Sequence, residues 1–118
     1  MQNLARCTRV IDGDTFEAVI DLGFYITLKI TVRLYGVNCP EMHPKDKDGK
    51  SLGDEARAYL SERIWGKDIH VWSYKKDSFG RWLCDVLVDG LLLSKEIIDQ
   101  GYGVPYFGER LNGDNCND

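Results

Sequence analysis

Apolar and polar residues alternate most clearly in the second quarter of this chain. Phe24, Ile26, Leu28, Ile30, Val32 and Leu34 are apolar, and Thr27, Lys29, Thr31 and Arg33 lie between them. Alternation with period two sends successive side chains to opposite faces. The stretch therefore predicts a half-buried strand, long enough to curl round a barrel, with Arg33 on the face opposite the apolar set. Two shorter strands precede it. Residues 7–11 form the first, Asp12-Gly13-Asp14 makes a turn, and Phe16, Ala18 and Ile20 then alternate with Thr15, Glu17 and Val19 up to a second turn at Asp21-Leu22-Gly23.

Beyond a polar loop at residues 43–50 the period changes. Ser51 with Asp54 three residues on is a capping-box-like helix start, and Leu52, Ala56, Tyr59, Leu60 and Ile64 recur at helical spacing until Gly66. Residues 69–74 predict a strand, 75–80 a polar turn, and 82–88 a strand closed by Asp89-Gly90. Leu92, Leu93, Ile97 and Ile98 predict a short second helix ending at Gly101. Three strands, a helix, two strands and a helix fit a mainly β (α+β) fold. The expected form is a five-stranded antiparallel Greek-key barrel of the OB type with two or three helices. An SH3-like barrel has the strand count but seldom carries a long helix at that point. The barrel domain is expected to span residues 1–108, with 109–118 a loose polar C-terminal tail.

Composition narrows the classes. At 118 residues, with 43% hydrophobic and 29% charged, the chain has enough apolar material for one packed domain and is not disordered. No apolar run approaches the roughly 20 residues of a membrane span. The start lacks a basic region followed by an apolar stretch, which predicts a cytoplasmic monomer, or a secreted protein if the chain is a processed form. Net charge is -4, which argues mildly against a polyanion partner. Residues 43–81 alone lean basic, with 9 basic against 7 acidic groups. Cys7, Cys39, Cys84 and Cys116 show no paired spacing of the kind zinc sites use, so free thiols are expected, with Cys84 in the core.

The candidate chemistry sits at strand ends. Asp12 and Asp14 flank a glycine, Glu41 follows Pro40, and Arg33 and Arg81 supply guanidinium groups. Taken singly, Asp-Gly-Asp is ordinary turn chemistry and Gly80-Arg81 an ordinary hairpin. Together they make up what phosphodiester hydrolysis requires. Hard oxygen donors suit a cation such as Ca²⁺, a carboxylate activates water, and planar forks match phosphoryl oxygens bidentately.

Three ordered strings carry this set: Val10-Ile11-Asp12-Gly13-Asp14-Thr15-Phe16, then Val32-Arg33-Leu34-Tyr35-Gly36-Val37-Asn38-Cys39-Pro40-Glu41, then Asp77-Ser78-Phe79-Gly80-Arg81. In order and separation they resemble the staphylococcal nuclease family over about residues 5–106. The resemblance implies an OB-fold barrel that hydrolyses DNA and/or RNA with Ca²⁺. By position, Asp14 resembles the carboxylate metal ligand, Asp12 the acid that acts through a water, and Asn38 the second ligand. Cys39 resembles the residue that lends its backbone carbonyl, and Glu41 the general base. Arg33 and Arg81 resemble the phosphate-binding arginines, while Phe79 and Tyr106 stand near tyrosines that border the nucleotide. Asn38 stands where the family has a carboxylate, which lowers the expected Ca²⁺ affinity. That substitution and the acidic balance favour the competing expectation, a non-catalytic nucleic-acid- or protein-binding barrel. Lys45, Lys47 and Lys50 form either a flap over substrate or a solvated loop.

Overall fold

The computed structural model describes residues 2–40 and 52–107. Glu41, the lysine loop at 43–50, Ser51, Cys116 and the 109–118 tail lie outside the described residues.

The first strand, β1 (Gln2–Asp12), is twice as long as its alternation suggests. Its two halves have different partners. Residues 2–6 run antiparallel to β5 (Asp68–Lys76), with Gln2 opposite Trp72 and Arg6 opposite Asp68, while residues 5–12 pair with β2 (Thr15–Asp21). Register shifts between Cys7 and Arg9 and between Val10 and Asp12 bend β1 between these partners.

The third strand, β3 (Thr27–Leu34), starts three residues later than the alternation predicts. Phe24 and Tyr25 instead sit in the hairpin turn with left-handed backbone (φ 55 and 62), and both side chains are exposed. Of the predicted apolar face, Val32 and Leu34 are buried in the core and Ile30 packs partly buried against it, while Phe24, Ile26 and Leu28 are exposed.

After β4 (Gly36–Asn38) come α1 (Leu52–Ile64), β5, β6 (Trp82–Val88), β7 (Leu91–Leu92), α2 (Leu93–Asp99) and β8 (Val104–Tyr106). The sheet runs β3-β2-β1-β5-β6-β7, and an additional β3–β6 pairing closes five of these strands into a barrel. That closing pair is parallel, with Val32 opposite Trp82 and Leu34 opposite Cys84, so the all-antiparallel expectation holds for the other four seams alone. Lys75 and Lys76 extend β5 into the turn predicted at 75–80, past a bulge between Ser73 and Lys75.

The core is built from inward residues of the strands, with Phe16, Val32, Leu34, Ile69, Val86 and Val88 all but inaccessible. Ala56, Leu60 and Ile64 of α1 and Leu93 and Ile97 of α2 cap it. The four-residue spacing of the α1 set places it on one helix face. The helix comes so close to the β1–β2 turn that a Cβ on Gly13 would stand 2.5 Å from that of Ala56. Arg63 of α1 clamps α2 through Glu96, with Nε–Oε1 2.6 Å and Nη2–Oε2 3.0 Å, and Tyr59 Oη donates to the same carboxylate at 2.9 Å. No helix among the described residues is long and apolar enough to cross a membrane.

Candidate functional site

One rim of the barrel gathers the β1–β2 turn, the end of β3, β4 and the β5–β6 turn around a cavity of about 540 Å³. Asp12, Asp14, Arg33, Asn38, Cys39, Phe79, Arg81 and Tyr106 all line it, so eight of the nine expected site residues share one space. The ninth, Glu41, lies outside the described residues.

Asp14 is buried where the Asp12-Gly13-Asp14 turn enters β2. Its Oδ1 accepts the Thr15 hydroxyl at 2.9 Å and its Oδ2 accepts the Cys39 N–H at 2.8 Å. These bonds fix the carboxylate and draw the end of the β4 segment onto it. Each carboxylate oxygen keeps a second lone pair.

Arg33 corrects the solvated face that its place in the alternation implies. It is 8% exposed, because Gly36 (φ 88) reverses the chain and folds β4 over the guanidinium. Nη1 donates to the Leu34 carbonyl at 3.0 Å and the Val37 carbonyl at 2.8 Å, and lies 3.5 Å from Asp14 Oδ2. Nη2 donates to Asn38 Oδ1 at 3.2 Å. Asn38 thus orients Arg33 as well as offering an oxygen to the cavity.

Burial first, then the Asp14 charge, pushes the Cys39 thiol up to about 12 against a smaller opposing effect of Arg33. In the protein without bound metal the sulfur is therefore held in its thiol form at neutral pH. Cys7 and Cys84 are likewise buried free thiols, as expected.

Arg81 is held differently. Asp77 accepts the N–H groups of Phe79 and Arg81, both at 2.9 Å, and Arg81 Nε at 2.8 Å. Burial alone would raise the Asp77 carboxyl; the backbone donors and the guanidinium outweigh it and hold the group below the usual range. The Arg81 side chain is one-third exposed and its guanidinium carbon stands 5.3 Å from the centre of the Phe79 ring.

Sequence reasoning missed Asp77 as the residue that aims Arg81, although an aspartate opening a turn that closes on glycine carried the signal. It also missed Lys75 and Lys76, which add positive charge to the cavity wall, and Tyr35 and Phe107, which line it. Tyr35 packs on Tyr74 with ring centres 4.6 Å apart and edge-on against Phe107 at 5.4 Å. Tyr74 in turn donates its hydroxyl to Asp85, which pushes the phenol up to about 12.

Among the described residues no group of three or more His, Cys, Asp or Glu converges as a metal cluster. Asp12, Asp14, Asn38 and Asp77 bring side-chain oxygens to the cavity lining, with Asp77 engaged by Arg81. Hard oxygen donors of this kind fit Ca²⁺ better than a thiophilic ion.

Comparison with known proteins identifies the family. The chain is 34% identical over 82 residues, 66% of its length, to the probable endonuclease LCL3 of Yarrowia lipolytica. It is 33% identical over 85 residues, 68% of its length, to the protein of that name in Kluyveromyces lactis. To the probable staphylococcal-like nuclease CAN1 of Oryza sativa subsp. japonica it is 29% identical over 73 residues, 62% of its length. The matches take up 36%, 32% and 20% of those longer relatives. The family model described as staphylococcal nuclease homologue matches residues 31–117, so the chain belongs to that family.

Proposed function

We propose that this domain is a metal-dependent nuclease that hydrolyses phosphodiester bonds of DNA and/or RNA. The observation that carries the proposal is the convergence of Asp12, Asp14, Arg33, Asn38, Cys39 and Arg81 on one cavity bordered by aromatic rings. Phosphoryl transfer concentrates negative charge on the phosphate oxygens, so a site for it needs fixed positive groups and an acid–base partner.

Asp14, Asn38 Oδ1 and the Cys39 carbonyl are the donors that would hold Ca²⁺, with Asp12 acting through water. The chemistry the cation supplies there is charge neutralisation on the phosphate. Glu41 takes the proton from the attacking water as its oxygen bonds to phosphorus and the bond from phosphorus to the 5′ oxygen breaks. Arg81, aimed by Asp77 and only partly covered, presents its remaining N–H donors to the phosphate and the leaving oxygen. Arg33, already bonded to two backbone carbonyls and Asn38, contributes a fixed charge beneath the phosphate. Phe79 and Tyr106 offer apolar faces to the adjoining base or sugar.

The test is cleavage of single-stranded DNA with excess Ca²⁺, with chelator, and with Glu41→Gln protein. Calcium-dependent cutting lost in both controls is the expected result. No cutting at any Ca²⁺ concentration, with oligonucleotide binding intact, would refute catalysis and leave the binding module as the function.

A further inference from the structure

We propose that a second groove, along the open edge of β3 beside β6, carries the continuation of a single-stranded nucleic acid past the cavity. The inference rests on the nuclease reading and adds the path of the strand to it.

The groove has a volume of about 400 Å³ and is lined by Leu28, Lys29, Thr31, Lys76, Gly80 and Trp82 among others. It adjoins the site. Lys76 lines both spaces, and Gly80 immediately precedes Arg81. The registers explain the junction: β5 sets Lys76 opposite Trp82, and β3 sets Val32 on the other side of that tryptophan.

Below Val32 the seam opens. The parallel pairing ends there, and among the described residues the edge of β3 at 27–31 has no strand beside it on that side. An open edge presents backbone donors and acceptors in a row. Lys29 stands over it with a side chain 66% exposed.

Charge favours a polyanion here, although the chain as a whole is acidic. Glu17 is the one carboxylate lining the groove, and it is shared between Lys29 at 3.8 Å and Arg9 at 3.5 Å. Of the groove's own lining, Lys29 and Lys76 outnumber it. Half-buried Trp82, with Leu28 and Ile30 on the face of β3 opposite Lys29, brings an apolar surface to the other side of the groove. Cations on one side of a groove and an aromatic or apolar surface on the other suit a strand with phosphates along one edge and unpaired bases along the other. A peptide added to the β3 edge would be held by main-chain pairing and would make no use of Lys76 or of the adjoining cavity.

The experiment measures binding of labelled thymidylate trimers and dodecamers to the full chain in chelator, by anisotropy across a salt series. The wild-type protein should bind the dodecamer at least about tenfold more tightly than the trimer, with a steeper salt dependence. Lys29→Ala should weaken the dodecamer about three- to tenfold and lower its salt slope by about 0.7, the value of one single-strand phosphate contact. Lys29→Arg should restore both. The trimer, held in the cavity alone, should bind all three proteins equally, and matching melting curves establish that the variants are folded.

A dodecamer unaffected by Lys29→Ala, or a trimer weakened to the same degree, overturns the groove while the nuclease reading stands. A wild-type dimer dissolved by Lys29→Ala assigns the edge to a second copy and also overturns it. Failure of the wild type to bind the dodecamer also overturns the groove, while the nuclease reading is decided separately by the calcium-dependent cleavage assay.

Discussion

Replacing Arg33 by alanine should cost this protein its stability as well as its activity. The guanidinium donates to the Leu34 and Val37 carbonyls and to Asn38 Oδ1, and its side chain is 10% exposed beside an Asp14 side chain 9% exposed. Truncation leaves two carbonyls short of donors and a buried carboxylate without its cation. Removing one member of a buried ion pair costs about 3–5 kcal/mol. For a domain of this size about 1 kcal/mol moves the melting midpoint by roughly 3–5 °C, so a fall of about 10–25 °C is expected. Arg81→Ala is the comparison, because that arginine is one-third exposed and, among the described residues, its ion pair is with Asp77. An exposed pair contributes about 0–1 kcal/mol, and Asp77 keeps its two backbone donors. Both variants should lose cleavage, but only Arg33→Ala should melt early. Arg33→Lys should fall between, since one ammonium keeps the charge near Asp14 without reaching all three oxygens. Thermal melts by circular dichroism with urea midpoints decide the matter. Melting of Arg33→Ala within about 2 °C of Arg81→Ala, well under the shift of 1 kcal/mol, would refute the claim that Arg33 braces the site.

Glu96 is held below the usual carboxylate range, first by the Arg63 bond. A depressed folded value stabilises the protein above the unfolded value of about 4.3, and that contribution is lost as pH falls through the folded value. Glu96→Gln should therefore show a flatter stability profile than the wild type below about pH 4.3, and parallel acid denaturation curves would count against the clamp. Asn38→Asp restores a full charge facing the cavity and should tighten Ca²⁺ about tenfold, read as a larger rise in melting midpoint at subsaturating Ca²⁺. Equal shifts in the two proteins would remove Asn38 from the ligand set. Gly13→Ala places a Cβ 2.5 Å from Ala56 Cβ and 3.1 Å from Cys39 Cβ, which should cost about 1–3 kcal/mol by overpacking. Adding Ala56→Gly should relieve part of that loss, whereas additive losses would exclude the contact as its source.

How much was legible beforehand depended on how local each cause was. The helix α1 and the strand β6 could be read directly, because their periods and their flanking glycines are written within single segments. The ladder of β4 and β8 could not. Gly36 faces Tyr106, Val37 faces Pro105 and Asn38 faces Val104, and three-residue strands holding glycine, asparagine and proline show no period at all. The hairpin tip misled in the opposite direction, since Phe24 and Ile26 continue the apolar alternation past the point where the barrel ends. Arg33 is the instructive case at the site. Its strand face was readable, but its burial depends on a chain reversal at Gly36, whose effect on a side chain three residues earlier leaves no mark in the pattern. Asp12, Asp14 and Arg81 were found because turn chemistry and motif spacing act over a few residues.

The β4–β8 ladder also divides the molecule into parts of unequal permanence. Asn38 and the start of Cys39 are tied down by a strand whose three residues are all exposed and whose central proline has no N–H to give. The barrel strands beneath are longer and their cores inaccessible. In amide exchange, the segment at 36–39 and residues 104–106 should open together at a free energy well short of global unfolding, while β1, β2 and β6 persist. Each opening would take the Cys39 N–H off Asp14 and the Val37 carbonyl off Arg33. The fraction of molecules able to act at any instant is then set by a short strand distant in sequence from the groups it holds, and substitutions at Val104 or Pro105 should tune turnover without touching a residue that lines the cavity.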